Sequence, residues 1–425
     1  MREIFQNKTF VKLFFAMVTS QMGTIVGNMA FAFYLLDRFS GQPYLATLAE
    51  LMYSLPTLVV FLFVGVLADR LDRQKIAEYS DWIRAILTLF LIFSFITSIV
   101  PLMFAILFLR SAVSKFFFPA EAGLIQGILS KEQYQTAAGL NMMVHSIFML
   151  FGVGMGAITY KLLGIYWAFI IDGLSFVVSA MLIKSCQIHE EARLPNGHFK
   201  IKELNIKQTI HDFKEGGGYI LNKKLLLTLI MGFFLFGFIN GGFAILPLFT
   251  MKYKLSPENY EWYASLFGIV FGSGVFAGSA LASVIGKKFK PYMIIIIGII
   301  LMSLTTVSMG LSTSIPLFFV FVGLTGIIIG PLNVALSGWL PSIVDPTFMG
   351  RVNGWIDPIM MLAQSVSLGL IALLFPKIIV TVDWIYYGIA LLMLVIGIFY
   401  ALTLPKLNEQ EEKMTVEKSM PEVQV

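Results

Sequence analysis

Apolar runs of membrane length recur along almost the whole chain, separated by short polar intervals. They fall at about 10–36, 44–68, 76–99, 101–129, 136–161 and 165–186, then at about 224–250, 260–285, 291–311, 315–341, 350–375 and 382–403. A helix needs roughly 20 apolar residues to cross the hydrocarbon layer, so the pattern predicts twelve membrane helices in two groups of six. The groups are separated by the polar segment His189–Asn222, and a charged tail follows Asn408. The organisation expected is an N-terminal six-helix half (1–188), a cytoplasmic linker (189–222), a C-terminal six-helix half (223–405) and a charged cytoplasmic tail (406–425). The first run is too long for a signal-peptide core and lacks a small-residue cleavage site, so it reads as the first membrane helix.

Composition sharpens this picture. The chain of 425 residues is 57% hydrophobic and 13% charged, against about 45–50% and about 25% in soluble domains. That excludes a disordered chain, a nucleic-acid-binding module and an ordinary soluble enzyme. The net charge of +5 is explained by basic loops on one side. With both termini inside, the inner side receives Arg2, Lys8, Arg70, Arg73, Lys75, Lys131, the linker cations, Lys287, Lys288, Lys290, Arg351 and the tail lysines. The outer side receives only Arg38, Lys161, Lys252, Lys254 and Lys377. The positive-inside rule therefore sets the termini and linker in the cytoplasm. The single cysteine, Cys186, excludes an intrachain disulfide, and the four histidines show no metal-ligand spacing, so neither metal nor cofactor is expected.

The two groups of helices read as repeats. Pro119–Leu124 and Pro331–Leu336 lie 212 positions apart, and Gly65–Lys75 overlies Gly278–Lys288 at an offset of 213. Six spans per group make the repeats parallel in topology. Ala282 stands in the second copy where the first has Asp69.

After the second helix comes Gly65-Val66-Leu67-Ala68-Asp69-Arg70-Leu71-Asp72-Arg73-Gln74-Lys75. This resembles the loop 2–3 signature of the major facilitator superfamily, G-x-L-a-D-r-x-g-r-k, with Asp72 where the family has a glycine. The fourth helix carries Arg110 and, downstream, Phe116-Phe117-Phe118-Pro119-Ala120, and the sixth carries Phe169-Ile170-Ile171-Asp172-Gly173-Leu174-Ser175-Phe176. Both are similar to the macrolide-efflux-type, drug:proton antiporter branch. The resemblance implies an all-α membrane protein with twelve transmembrane helices in two six-helix parallel-repeat halves around a central cavity. It implies a conformational gate at Gly65, Asp69, Arg70 and Arg73, with Asp69 facing the start of helix eleven near Gly350 and Arg351. It also makes helices one, four, seven and ten border the cavity, which selects Asn28, Asn240 and Asn333 as substrate contacts. Helices five and eight meet in this fold, which gives helix-packing roles to Gly152, Gly156, Gly268 and Gly272. Helix five lacks the Gly-Pro pair that efflux antiporters usually carry.

An ionisable residue inside a span is costly and is a functional candidate by default. Arg110 lies about nine residues into helix four and reads as cavity-lining, as part of a charge relay with the loop motif, or as half of a structural ion pair. Lys115, five residues on, points about 140° away on an ideal helix. Glu50, Asp172 and Asp357, each about two turns inside a helix end, are candidates for proton coupling, because a carboxyl that alternates between water and a drier site loads and releases a proton. Asp37 and Asp383 read as solvated acids at outer helix ends. Acidic cavity residues suit a cationic drug, whereas Arg110 suits an anion, and the sequence holds both. The reading is a secondary transporter, not an enzyme. It exports hydrophobic or amphipathic small molecules, macrolide-type drugs among them, by proton antiport and alternating access. The alternative is an exporter or importer of an endogenous metabolite, such as an anionic siderophore, without a drug role. The partners expected are the small-molecule substrate, the proton and membrane lipid, with no nucleic acid; the protein is expected to act as a monomer in the cell membrane.

Overall fold

The computed structural model describes residues 4–194, 206–345 and 348–419, and among them the chain forms helices and no strands. Inside hydrocarbon every backbone N–H and C=O must be satisfied within its own segment, and the helix does this. The helices are α1 (Lys8–Arg38), α2 (Tyr44–Arg70), α3 (Arg73–Thr97), α4 (Val100–Ile128), α5 (Lys131–Lys184), α6 (Glu190–Arg193), α7 (Ile206–Asn222), α8 (Lys224–Thr250), α9 (Tyr260–Gly286), α10 (Pro291–Leu311), α11 (Ile315–Ile343), α12 (Met349–Leu374) and α13 (Val382–Ser419). Eleven helical segments of the described residues are long and apolar enough to cross a membrane. The twelfth span is contained in α5, whose 54 residues are interrupted at Gly164 (φ 80°, ψ 175°). A side chain is disfavoured at that φ, and glycine is not. Helices five and six of the sequence reading are thus 131–163 and 165–184, and α8 to α13 are helices seven to twelve.

Helix starts are written in local chemistry. The Asn7 side chain accepts from the N–H groups of Thr9 (3.0 Å) and Phe10 (3.1 Å) at the head of α1. Ser130 and Gln133 form a reciprocal capping box at the head of α5. Asp72 has φ −60°, not a left-handed backbone, and caps α3 by accepting from Gln74 N (3.1 Å) and Lys75 N (3.2 Å). The aspartate that departs from the family glycine is therefore an N-cap. Its carboxylate also pairs with Arg193 of α6 through both oxygens, rather than with Arg73 or Lys75. This hydrogen-bonded carboxylate raises the Arg193 pKa further above its ordinary value.

The chain forms two compact units. One gathers residues 1–209, 256–269 and 368–376; the other gathers 210–255, 270–367 and 377–425. In the first, Phe10, Leu13, Phe14, Ala77, Phe117, Leu124 and Ile183 build one core cluster, and Phe31, Leu35, Leu91, Phe95, Phe104, Leu107 and Phe169 another. The C-terminal end of α5 is held by side-chain donors: Gln74 Nε2 to Ile183 O (2.8 Å) and Cys186 O (3.0 Å), and Lys12 Nζ to Ser185 O (2.9 Å). Cys186 is buried at that corner, and burial pushes its thiol up to about 11.

In the second unit the linker helix α7 docks on the start of α12. Phe213 stacks on Trp355 with ring centres 4.0 Å apart, and Trp355 Nε1 donates to Phe213 O (2.8 Å). Tyr219 stacks on Phe348 at 4.4 Å. A Cβ on Gly216 would lie 2.9 Å from the Cβ of Arg351, and one on Gly217 would lie 2.9 Å from the Trp355 ring. The glycine run in the linker is what lets α7 lie this close.

Candidate functional site

The first unit holds an open cavity of about 300 Å3 lined by α1, α2, α3, α4 and α5. Ser20, Gln21, Thr24, Ile25 and Asn28 contribute one face of α1. Leu107, Arg110, Ser111, Ser114, Lys115 and Phe118 contribute one face of α4, spaced by three and four residues as a helix requires. Arg110 and Lys115 sit at the two edges of that stripe, so the 140° between them spans the cavity wall; Lys115 does not point away from it. Tyr53 of α2, Arg84 of α3 and His145 of α5 complete the lining.

Two buried ion pairs stand behind this wall. Arg110 Nη2 donates to Asp172 Oδ2 at 2.5 Å, with the two side chains 5% and 0% exposed. Arg84 Nη1 donates to Asp81 Oδ1 (2.9 Å) and Ser20 Oγ (3.0 Å), and its Nη2 donates to Thr24 Oγ1 (2.5 Å). Ser20 Oγ in turn donates to Asp81 Oδ1 (3.1 Å). Both guanidiniums stand over the Phe176 ring, with Cζ 3.9 Å (Arg84) and 5.5 Å (Arg110) from its centre. A buried charge is tolerated only when paired and hydrogen-bonded, and the pairs here tie α1, α3, α4 and the second limb of α5 together. Small residues on α1 make room: a Cβ on Gly27 would lie 2.8 Å from Asp172 Oδ2, and one on Gly23 would lie 1.9 Å from Ser175 Oγ.

The partner of Arg110 is thus Asp172, the acid expected to be a separate proton carrier. Asp81 and Arg84 were not among the candidates from sequence. The signal was an acid and a base three residues apart inside an apolar run, disguised by nearness to the N-terminal end of that run. Arg84 lies eleven residues beyond the start of α3, a depth of roughly 16 Å at 1.5 Å per residue. Glu50 on α2 is half-buried and makes no ion pair among the described residues, whereas Asp357 on α12 is exposed. Asp37 accepts from Tyr260 Oη (2.7 Å) and Asp383 pairs with Lys254 (2.6 Å), so these two helix-end acids are engaged with protein groups.

The second unit holds a cavity of about 170 Å3 with a different chemistry. Phe233, Phe236, Met302, Met360 and Met393 line it beside Asn240 and Asn333. Asn28 lines the first cavity and Asn240 and Asn333 the second. Of the gate residues, Gly65, Asp69 and Arg70 end α2 and Gly350 lies in the first turn of α12, but their side chains lie outside the described residues. Arg73 donates from Nη1 to Gly123 O of α4 (3.2 Å). Arg351 pairs with Glu215 of the linker helix (3.3 Å). Gly152 and Gly156 face α1, where a Cβ would meet Ile25 (2.6 Å) and Met29 (2.3 Å); of this run Gly154 faces α9, at Ser265 (3.5 Å). Gly268 and Gly272 lie on α9, whose backbone approaches α11 at Phe271, Gly274 and Gly278.

A family profile for the Major Facilitator Superfamily matches residues 13–367. The chain belongs to the major facilitator superfamily. An uncharacterised superfamily transporter of Bacillus subtilis, YkuC, is 54% identical over 420 residues, covering 99% of this chain and 98% of that protein. Macrolide efflux protein A of Streptococcus pyogenes is 25% identical over 87% of this chain and 90% of its own length. A putative bacilysin exporter, BacE of B. subtilis, is 28% identical over 52% of this chain and 53% of its length. Among solved structures, a POT family transporter in complex with a thioalcohol-conjugated peptide aligns with a TM-score of 0.74 over 93% of this chain and 96% of its own, at 12% identity. That likeness is one of fold. The superfamily chain is a multi-pass membrane transporter and not an enzyme, and its similarity to macrolide efflux proteins agrees with the motifs of helices four and six.

Proposed function

We propose that the chain exports hydrophobic or amphipathic small molecules, macrolide-type drugs among them, across the cell membrane by alternating access coupled to proton entry. The two repeats, 1–188 and 223–405, act as the moving bodies, and both termini are cytoplasmic; the protein works as a monomer. The observation that carries the reading is the Met- and Phe-lined cavity of the second unit with its two asparagines. Unbranched thioether side chains adapt their shape to varied apolar ligands, and a few polar groups orient them. Relatives named for macrolide efflux and bacilysin export support the outward direction. Glu50, half-buried and outside the ion pairs, is the proton carrier in this reading, and Asp69 closes the cytoplasmic gate.

The test is efflux from cells loaded with fluorescent dyes and macrolides, with and without a protonophore, for the native chain, Glu50→Gln and Asp69→Asn at equal membrane expression. Efflux that the protonophore abolishes and that either substitution lowers by about tenfold or more supports the reading. Retained protonophore-resistant efflux in both variants removes the proton, and no efflux of any compound removes the drug role.

A further inference from the structure

The first unit's cavity presents an unbalanced set of groups. Three cations, Arg84, Arg110 and Lys115, line it, and no carboxylate does. Asp81 and Asp172 answer two of those charges from behind the wall. Lys115 is left as the surplus charge on the α4 face. Three buried donors of the lining also lack hydrogen-bond partners among the described residues: Arg84 Nε, Arg110 Nη1 and the Tyr53 hydroxyl, of which the last two lie on one wall. Arg110 is only 5% exposed, and a donor left unsatisfied on a buried charged group is costly. Tyr53 and Arg110 belong to one wall, because Ser111 Oγ donates to Tyr53 O (3.0 Å) one residue beyond Arg110. Serine hydroxyls at 111 and 114 lie between Arg110 and Lys115 on the helix face.

We propose that this cavity is the subsite for a carboxylate group of the transported molecule, held between Arg110 Nη1, the Tyr53 hydroxyl and the Lys115 ammonium. The subsite therefore selects monoanionic or zwitterionic amphipaths among the exported molecules; macrolides, amines without a carboxylate, would be carried without it. The surplus of one positive charge matches a carboxylate; a phosphate dianion would leave the wall negative. A guanidinium paired on one edge still offers a second edge, and a carboxylate has two oxygens with which to meet it and a neighbouring donor. The volume of about 300 Å3 lies at the lower end of the range for small-molecule sites. It holds a carboxylate and a small apolar group beyond it, not a whole macrolide. Polar Gln21 and Asn28 of α1 orient those atoms, with Ile25 between them as the apolar contact.

The inference deepens the reading of the chain as an exporter and rests on it, but its test is binding and not flux. The purified full-length protein in lipid nanodiscs is titrated with 4-phenylbutyrate, N-acetylphenylalanine and dansyl-leucine, each against its own carboxamide, with empty nanodiscs as the blank. At least one acid is expected to bind about tenfold or more tightly than its amide, the worth of one charge-assisted contact. Lys115→Gln and Tyr53→Phe, which disturb neither ion pair, are expected each to shrink that preference to about threefold or less. Lys115→Arg is expected to keep it. Amides that bind as well as acids, no acid bound at about 5 mM, or a preference unchanged in both Lys115→Gln and Tyr53→Phe would overturn the proposal. A failed efflux experiment with an intact acid preference would instead count against the exporter reading alone.

Discussion

Arg110 and Asp172 are both buried, 62 positions apart in sequence and joined at 2.5 Å. Removing one partner strands the other charge away from water, which costs about 3–5 kcal/mol, whereas replacing both with apolar groups of similar size is close to neutral. Asp172→Ala is therefore expected to lower the unfolding temperature of the purified protein markedly, and Arg110→Leu combined with Asp172→Leu to recover most of the loss. A double variant as unstable as the single one would mean that the two side chains are not energetically coupled. The sequence made each residue visible, because a charge in an apolar run announces itself. It did not make the pairing visible, since nothing in a linear pattern says which helix a buried charge faces. Asp81 and Arg84 stayed hidden for a related reason. Their run begins at Ile76, and charges only five and eight positions into a run carry no sign of depth. In fact Arg84 is 4% exposed and Asp81 0%.

Between elements, α9 and α11 of the second unit pack backbone to backbone. A Cβ on Gly278 would lie 2.1 Å from Ile327 O, and one on Gly330 would lie 2.4 Å from Ser279 N. Both obstacles are backbone, so no rotamer change relieves them. Gly278→Val forces two helices apart, and the cost belongs at or above the top of the about 1–3 kcal/mol typical of overpacking. The expected outcome is a lower unfolding temperature and a loss of monodisperse protein in detergent, with Gly286→Val, where a Cβ meets nothing within 4 Å, as the tolerated control. A normal elution profile for Gly278→Val would contradict this packing. The small-residue spacing on helices five and eight was plain in the sequence, and so was the close packing it allows. Helices five and eight do come near each other at Gly154, whose Cβ would lie 3.5 Å from Ser265, but Gly152 and Gly156 lie against α1, and the part of α9 that touches another helix backbone runs through Gly274 and Gly278. A small-residue face says that something comes near, not what.

For the molecule as a whole, the number and order of spans were legible because hydrocarbon imposes nearly one helix length on every crossing. The division within α5 was legible too, since Gly164 interrupts the apolar pattern where the backbone turns to φ 80°. The docking of α7 on α12 was not, because it depends on two stacked aromatic pairs and a glycine run with no periodic signature. One feature of the first unit extends to how the protein can be studied. Cys186 is the only thiol in 425 residues, 7% exposed, with its Sγ 3.3 Å from Leu182 O. Held up to about 11, it is ionised in about one molecule in ten thousand at pH 7. Maleimide is expected to modify it at least about a hundredfold more slowly than a free thiol, and fast labelling in folded protein would show that this corner opens readily. The native chain then serves as its own cysteine-free background. A reporter cysteine introduced at any exposed position can be read alone, and the slow reaction of Cys186 becomes a clock for how often α1, α3 and the end of α5 part.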